Sequence, residues 1–471
     1  MKQARHMQNR REILLRYLSN NVARPRELID ITEVSQSTLY RDLQSIGERL
    51  VTVGSGRSIQ YALRDTQIGI PEVPVYRADA AGQVTLLGTL IPVLPEGFVW
   101  KGSRGEERYF ESLPWWLFDM RPQGYLGRAY ASAFAEELHL SHNPEEWSDA
   151  EIIGAFLAHG NDPVGNLLIG EGSMRSFLEM PDPTPVDRAV DFPLLARAAA
   201  QGEIPGSSAG GEQPKFCTYT DNGHVIVKFT IAADNPISER WADLLLTEHI
   251  ALGVLGVRTY IHDFGGQRFL EIPRFDRVGE RGRIGMFSLR ALDAEFVGAR
   301  PQVRWPSLAK KLLDEGCVTA DAVKGTALLW AFGRLIGNTD MHNGNISFIA
   351  EDGKGRPYHL APAYDMLPMA FSPKTSGEIS NQMPLTMIAD EVGIDVWADA
   401  WRLAQEFLDL SFEDKRFSKN IRNCLITIQT NLVVARESIN IGLDKAGLPT
   451  LPRPKETAEL LAAENAEIKI E

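Results

Sequence analysis

Residues 334–349, RLIGNTDMHNGNISFI, set Asn338, Asp340, His342, Asn343 and Asn345 between a run that reads as a buried helix, AVKGTALLWAFGRLIG, and a second apolar run. A buried polar group left without a partner costs about 1–3 kcal/mol. So many donors and acceptors between two elements that must be buried restrict the chain to folds that satisfy this loop. Two ways of doing so stay open for the loop alone. Asn338 and Asp340 can cap the end of the helix, or the cluster can line a site whose ligand completes the hydrogen bonds.

The chain has 471 residues, more than the roughly 250–300 at which a single core stops growing, so two to four domains are expected. A hydrophobic share of 44% and a charged share of 24% are those of an ordinary soluble globular protein. No stretch approaches the roughly 18 uninterrupted apolar residues of a membrane span. The start, MKQARHMQNRREILLRYL, is charged where a secretory signal needs an apolar stretch. A cytoplasmic protein with no membrane partner is expected. Cys217, Cys317 and Cys424 have neither disulfide-framework nor zinc-ligand spacing and read as plain thiols. His139 and His142 lack a helix-spaced third ligand and read as surface histidines.

The net charge of -13 is unevenly spread. Residues 1–64 hold 11 Lys and Arg against 6 Asp and Glu, whereas the remainder holds 38 against 56. A small basic module on an acidic body suggests a polyanion partner for the module. Within it, Ile13, Leu14, Tyr17 and Leu18 form one face of an amphipathic helix. Pro25 opens a second helix burying Leu28, Ile29 and Ile31, and Ser35 or Ser37 caps a third with the stripe Leu39, Leu43, Ile46 and Leu50. The sequence VTVGSGRSIQYAL then reads as a hairpin turning at Gly54-Ser55-Gly56. Three short helices and a hairpin predict a winged helix-turn-helix over residues 1–68. Its candidate DNA contacts are Gln36, Ser37, Thr38, Tyr40 and Arg41 on the last helix and Arg57 at the wing tip. The same module also serves protein contacts in other settings, and that reading stays open.

Residues 71–190 read only as globular α+β, with strands and glycine turns in VPVYRADAAGQVTLLGTLIPVL. Further on, GEIPGSSAGGEQPKFCTYTDNGHVIVKFT runs from a Ser/Gly-rich loop through Lys215 into two strands around Asp221-Asn222-Gly223, the second carrying Lys228. No Gly-Lys-Ser/Thr opens a helix, so this is not a Walker loop. A glycine loop over a hairpin with a lysine on the returning strand is how protein kinases cover ATP, though a surface loop beside a solvated lysine has the same look. Kinase-type phosphoryl transfer also needs an Asp base, an Asn five residues on for Mg2+, and a later metal-binding Asp. Asp340, Asn345 and, in YHLAPAYDML, Asp365 have that order and spacing, with His342 between the first pair placed to steady the loop or contact phosphate.

The motifs SSAGGEQPKF, VIVKF, IPRFDR, GNTDMHNGN and LAPAYDM, with HGNDPVGNLL upstream, resemble the HipA-like Ser/Thr kinases, toxin kinases of bacterial toxin-antitoxin systems, and most closely their long members with an N-terminal helix-turn-helix. The likeness covers roughly residues 75–440. It implies an α+β, two-lobed, protein-kinase-like fold behind the winged helix. The β-rich subdomain with the glycine loop and ATP lysine would be residues 69–275, the mainly helical lobe 276–448 and an acidic tail 449–471. It also implies ATP and Mg2+ as cofactors, Asp340 as catalytic base, and Asn345 and Asp365 as metal ligands. Ala209, Gly210, Gly211, Lys215, Lys228 and His342 would lie at the phosphates, the backbone of Pro273 and Phe275 at adenine, and Ser207 or Ser208 would be autophosphorylated. The loop AGGEQPK is one residue longer than the family form, which leaves its register open, and Glu239 is the expected carboxylate partner of Lys228. Implied partners are a protein substrate, such as an aminoacyl-tRNA synthetase or other translation factor, DNA and an antitoxin. The alternative function is a winged-helix regulator whose kinase-like body binds a nucleotide or other ligand without phosphotransfer.

Overall fold

A computed structural model describes residues 2–160, 162–201, 213–300, 302–350 and 355–453. They form two compact units, one of residues up to 122 with 134–182 and 281–283, the other of 123–133, 183–280 and those from 284 onward.

The first unit begins with helices Lys2–Leu18, Pro25–Thr32 and Gln36–Gln44. Leu14, Leu18, Leu28, Leu39, Leu43 and Ile46 close over one another as their core, joined by Tyr61 and Leu63 of the hairpin. The expected faces differ in detail. Ile13 is exposed because the stripe that meets the neighbours is Leu14–Leu18, one turn apart, and Leu50 begins a strand rather than extending the third helix. Ser35 stands at the helix start without a side-chain cap bond, its hydroxyl instead meeting that of Thr38 at 3.0 Å. An ion pair of 2.6 Å from Arg10 to the buried Asp42 ties the first helix to the third.

The hairpin strands Leu50–Val53 and Gln60–Arg64 are separated by a longer turn than the glycine signal suggests, because Gly56–Ser58 adds a short 3-10 turn. Gly54 takes a φ of +75°, where a Cβ would sit 3.2 Å from the Ser58 carbonyl oxygen. The return strand does not end the sheet. It pairs antiparallel with the long strand Val84–Leu94, through Leu63 opposite Leu94 and Arg64 opposite Val93. Val84–Leu94 in turn pairs with Val73–Ala78 and Phe98–Gly102, so helix-turn-helix wing and following region share one seven-stranded sheet.

In the second unit, four antiparallel strands lie in the order Tyr260–Phe264, Gln267–Pro273, Gly223–Phe229, Lys215–Thr220. The tight connection before Gly223 relies on its φ of +92°. Helix Pro236–Val254 packs on this sheet, with its start capped by Asn235, whose side chain accepts from the N–H groups of Ile237 and Ser238. The remainder is mainly helical. Helix Ala320–Ile336 packs against Ile394–Glu413, which packs against Arg422–Lys445. Trp330 meets Trp397 edge to face at 5.8 Å, and Phe332 meets Phe407. A small sheet of Met286–Ser288, Ser347–Ile349 and His359–Leu360 carries the chain away from the polar loop. A small sheet with one helix, followed by a helical part bearing that loop, is a two-lobed kinase-like α+β arrangement. Among the described residues no helix is long and apolar enough to cross a membrane.

Candidate active site

Lys228 lies one residue before the end of its strand and is 5% exposed, a burial that is costly for an unpaired ammonium. Its ammonium donates to both carboxylate oxygens of Glu248, at 2.6 and 2.8 Å, and to Asp365. Glu239, the expected partner, is not involved. It projects from the first turn of the same helix, exposed, and accepts a hydrogen bond from Asn420 at 2.5 Å. Nine residues of helix rise about 13 Å, so only a carboxylate near the middle of that helix, Glu248, reaches the buried lysine.

Lys215 stands directly opposite Lys228 in the strand register. Opposed like charges repel, and here two carboxylates offset the repulsion. Burial opposes ionisation of Asp365, yet the charges of Lys228 and Lys215 hold its carboxyl well below the usual range. Burial pushes Glu248 up despite Lys228, while Lys228 itself is raised, its desolvation outweighed by Asp365 and Glu248. Two lysines side by side on neighbouring strands, with Glu248 and Asp365 balancing their charge, give a polar floor beside the loop.

Asn338, 2% exposed, joins two parts of the site. Its amide nitrogen donates to the Asp365 carbonyl oxygen at 3.1 Å, and its Oδ1 accepts from the Asp340 N–H at 3.0 Å. Asp365 has a φ of +51°, a left-handed conformation costing a non-glycine residue about 1–2 kcal/mol, and the Asn338 bond helps to hold it there. Asn345 donates its amide N–H to the Asp340 carbonyl at 2.8 Å, which turns its Oδ1 the other way. His342 accepts at Nδ1 from the Gly344 N–H at 3.0 Å, leaving Nε2–H as a donor. Tyr364 donates to the Gly344 carbonyl at 2.9 Å and lies 2.6 Å from the Ser347 hydroxyl. Its ring sits 5.9 Å from that of Phe275, two residues beyond Pro273 at the strand end.

The structure thus brings together Lys215, Lys228, Asp340, His342, Asn345 and Asp365. Ala209, Gly210, Gly211, Ser207 and Ser208 lie outside the described residues. Glu248, Asn338 and Tyr364 are additions. The signal for Glu248 that sequence reasoning passed over is a carboxylate within an apolar stretch of helix, LLLTEHIAL. Gln36, Ser37 and Arg41 are exposed, Tyr40 is 44% exposed, and Thr38 is half-buried. Arg57 is exposed in the turn between the hairpin strands.

Comparison with known proteins agrees in part with these residues and extends upstream. The family model described as "YjjJ-like toxin, middle domain" matches residues 70–178, and that described as "HipA-like C-terminal domain" matches 207–431. Toxin YjjJ of Escherichia coli (strain K12) is 36% identical over 412 residues, covering 84% of this chain and 92% of that protein. Among solved structures, HipA in the Shewanella oneidensis MR-1 complex of HipA, HipB and operator DNA aligns with a TM-score of 0.46 and 18% identity, over 83% of this chain and 94% of that one. The Helicobacter pylori proinflammatory kinase CtkA aligns with a TM-score of 0.35 and 15% identity, over 50% of this chain and 92% of that one. At 36% identity over most of both chains, the protein belongs to the HipA-like toxin family, with the YjjJ-like middle domain of its long members.

Proposed function

We propose that the chain is an ATP-dependent protein serine/threonine kinase of the HipA toxin type, acting in the cytoplasm, with residues 1–68 as a fused DNA-binding module. The observation that supports it most is the buried Lys228 held by Glu248 and Asp365, with Asn338 tying the Asp365 backbone to that of Asp340. A module that only sensed a ligand would have no need of an exposed carboxylate, Asp340, fixed through its backbone to the metal-binding Asp.

The donor set suits Mg2+. Asp365 and the Asn345 Oδ1 are hard oxygen ligands of the kind Mg2+ takes, and phosphate oxygens would complete the coordination. Held by Asp365 and Asn345, Mg2+ would neutralise charge developing on the nucleotide phosphates. Lys228 and Lys215 draw the phosphates to the sheet, and His342 offers Nε2–H to an oxygen. Phe275 and Pro273 border adenine. Asp340 takes the proton of the acceptor hydroxyl as its oxygen attacks the γ-phosphorus and the bond to ADP breaks. The loop with Ser207 and Ser208 would cover the triphosphate, and phosphorylation of either serine would add about -1.5 to -2 charges and expel it. A translation factor such as an aminoacyl-tRNA synthetase as substrate, and an antitoxin as partner, belong to the same proposal by family resemblance.

Purified protein with radiolabelled ATP tests the reading. Asp340→Asn should lower phosphoryl transfer by roughly 10²–10⁴ while nucleotide binding persists. An unchanged rate in that variant removes the kinase assignment.

A further inference from the structure

On the helical side of the catalytic loop lies a cavity of about 450 Å³ that shares Asp340 and His342 with the proposed phosphate site but extends beyond it to two arginines. Arg304, Trp330, Arg334, Asp340, His342 and Met387 border it. Arg304 lies over the Trp330 ring, 5.5 Å from its centroid, and approaches Glu391 only to 3.8 Å. Arg334 is half-buried on helix Ala320–Ile336, and its guanidinium meets no carboxylate and donates no hydrogen bond among the described residues. Burial and the neighbouring Arg304 both act against its charge. Arg304 has Glu391 within ion-pair distance, whereas the half-buried Arg334 at the same cavity has no carboxylate partner among the described residues, although Asp340 also lines the cavity. A planar bidentate anion would balance Arg334.

We propose that this cavity binds an acidic side chain of the protein substrate, aspartate, glutamate or a phosphorylated residue, within a few residues of the hydroxyl that receives phosphate. The inference rests on the kinase reading for the identity of Asp340, but not for the presence of the anion site. An acceptor hydroxyl must come within about 2.6–3.2 Å of its base, so a residue next to it in the substrate reaches the rest of the same cavity. The Asp340 carboxylate repels an anion set against it, which directs the acidic group toward the arginines. Apolar Trp330 and Met387 cover the stem of a side chain. A nucleic acid is disfavoured, because residues 65–471 hold 38 Lys and Arg against 56 Asp and Glu, a field that repels a polyanion yet admits one local charge.

The test uses the full-length protein and dye-labelled, end-blocked peptides carrying one serine, with aspartate or its neutral isostere asparagine at each flanking position, read by fluorescence anisotropy. At one position aspartate should bind about tenfold more tightly than asparagine, and Arg334→Gln or Arg304→Gln should abolish that difference while affinity for an ATP analogue stays within about twofold. Equal binding of the two peptide series, a preference that survives in both variants, or no binding up to about 1 mM would overturn the proposal. So would a single-stranded RNA oligomer that binds through the same arginines in place of the peptide. Arginine-dependent binding of a peptide that never receives phosphate would leave the anion site standing and remove the kinase reading instead.

Discussion

Replacing Glu248 with alanine probes the assembly on which the site depends. Glu248 is fully buried, Lys228 is 5% exposed, and two hydrogen bonds of 2.6 and 2.8 Å join them. Removing one partner of a buried ion pair costs about 3–5 kcal/mol, because the other charge stays desolvated. Asp365 remains as a second carboxylate for Lys228, so the lower end, about 3 kcal/mol, is expected. In urea, with a slope of about 1–3 kcal/mol per molar, this moves the midpoint of the unit that carries the sheet down by roughly 1–3 M, followed by tryptophan fluorescence. Lys228 would also turn toward Asp365 alone, and the affinity for Mg-ATP should fall with it. Glu239→Ala, on the same helix but exposed, should stay within about 0.5 kcal/mol of the parent. Equal effects of the two substitutions, or a loss below about 1 kcal/mol at Glu248, would refute the assignment of the partner.

Asn338→Ala removes the bonds to the Asp365 carbonyl and the Asp340 N–H together, so phosphoryl transfer should drop more than tenfold, with a smaller change in ATP affinity in an analogue-binding assay. Glu271, buried beneath Arg188, His262, Asn222 and Thr220, titrates well below its ordinary 4.5, since those hydrogen bonds outweigh its desolvation. The unfolded chain therefore takes up its proton first. The contribution is complete above the unfolded value and disappears as pH falls toward the folded one, so Glu271→Gln should flatten the acid limb of a stability-pH profile below about pH 4.5. Arg41→Ala should weaken binding of duplex DNA by the full-length protein and lessen its salt dependence, as measured by electrophoretic shift at several salt concentrations.

Which residues meet was more legible than which strands pair. Asp340, Asn345 and Asp365 were legible as neighbours because residue type and spacing single them out together, and Lys228 because a lysine near the end of an apolar strand needs a reason. The partner of Lys228 was not, since Glu239 and Glu248 lie on one helix and only the three-dimensional register decides which meets the strand. Pairing of the wing with Val84–Leu94 was also hidden. Arg64 ends the alternating pattern of the hairpin, and nothing in the local sequence says that its backbone will find Val93. The cavity sets Arg334, which has no carboxylate partner among the described residues, beside Arg304, thirty residues earlier, a juxtaposition that a sequence does not display.

The polar loop can now be told apart from an elaborate helix cap. Helix Ala320–Ile336 ends on Gly337, with a φ of +85°, and the Asn338 N–H returns to the Gly333 carbonyl at 2.8 Å. The Leu335 carbonyl accepts from Asn431 at 2.9 Å, and the Arg334 carbonyl from the Thr386 hydroxyl at 2.7 Å. The helix end is thus satisfied by backbone and by distant side chains. Within the loop, the Asn338 and Asn345 amides hold its own backbone, and Asn343 gives its carbonyl to the Arg290 N–H. What these bonds leave over is the Asp340 carboxylate and the Asn345 Oδ1, which accept no hydrogen bond from a described residue. A cap would have consumed the groups with the most hydrogen-bonding capacity. This loop instead consumes the amides and keeps in reserve the two oxygens that the proposed proton transfer and metal binding would use.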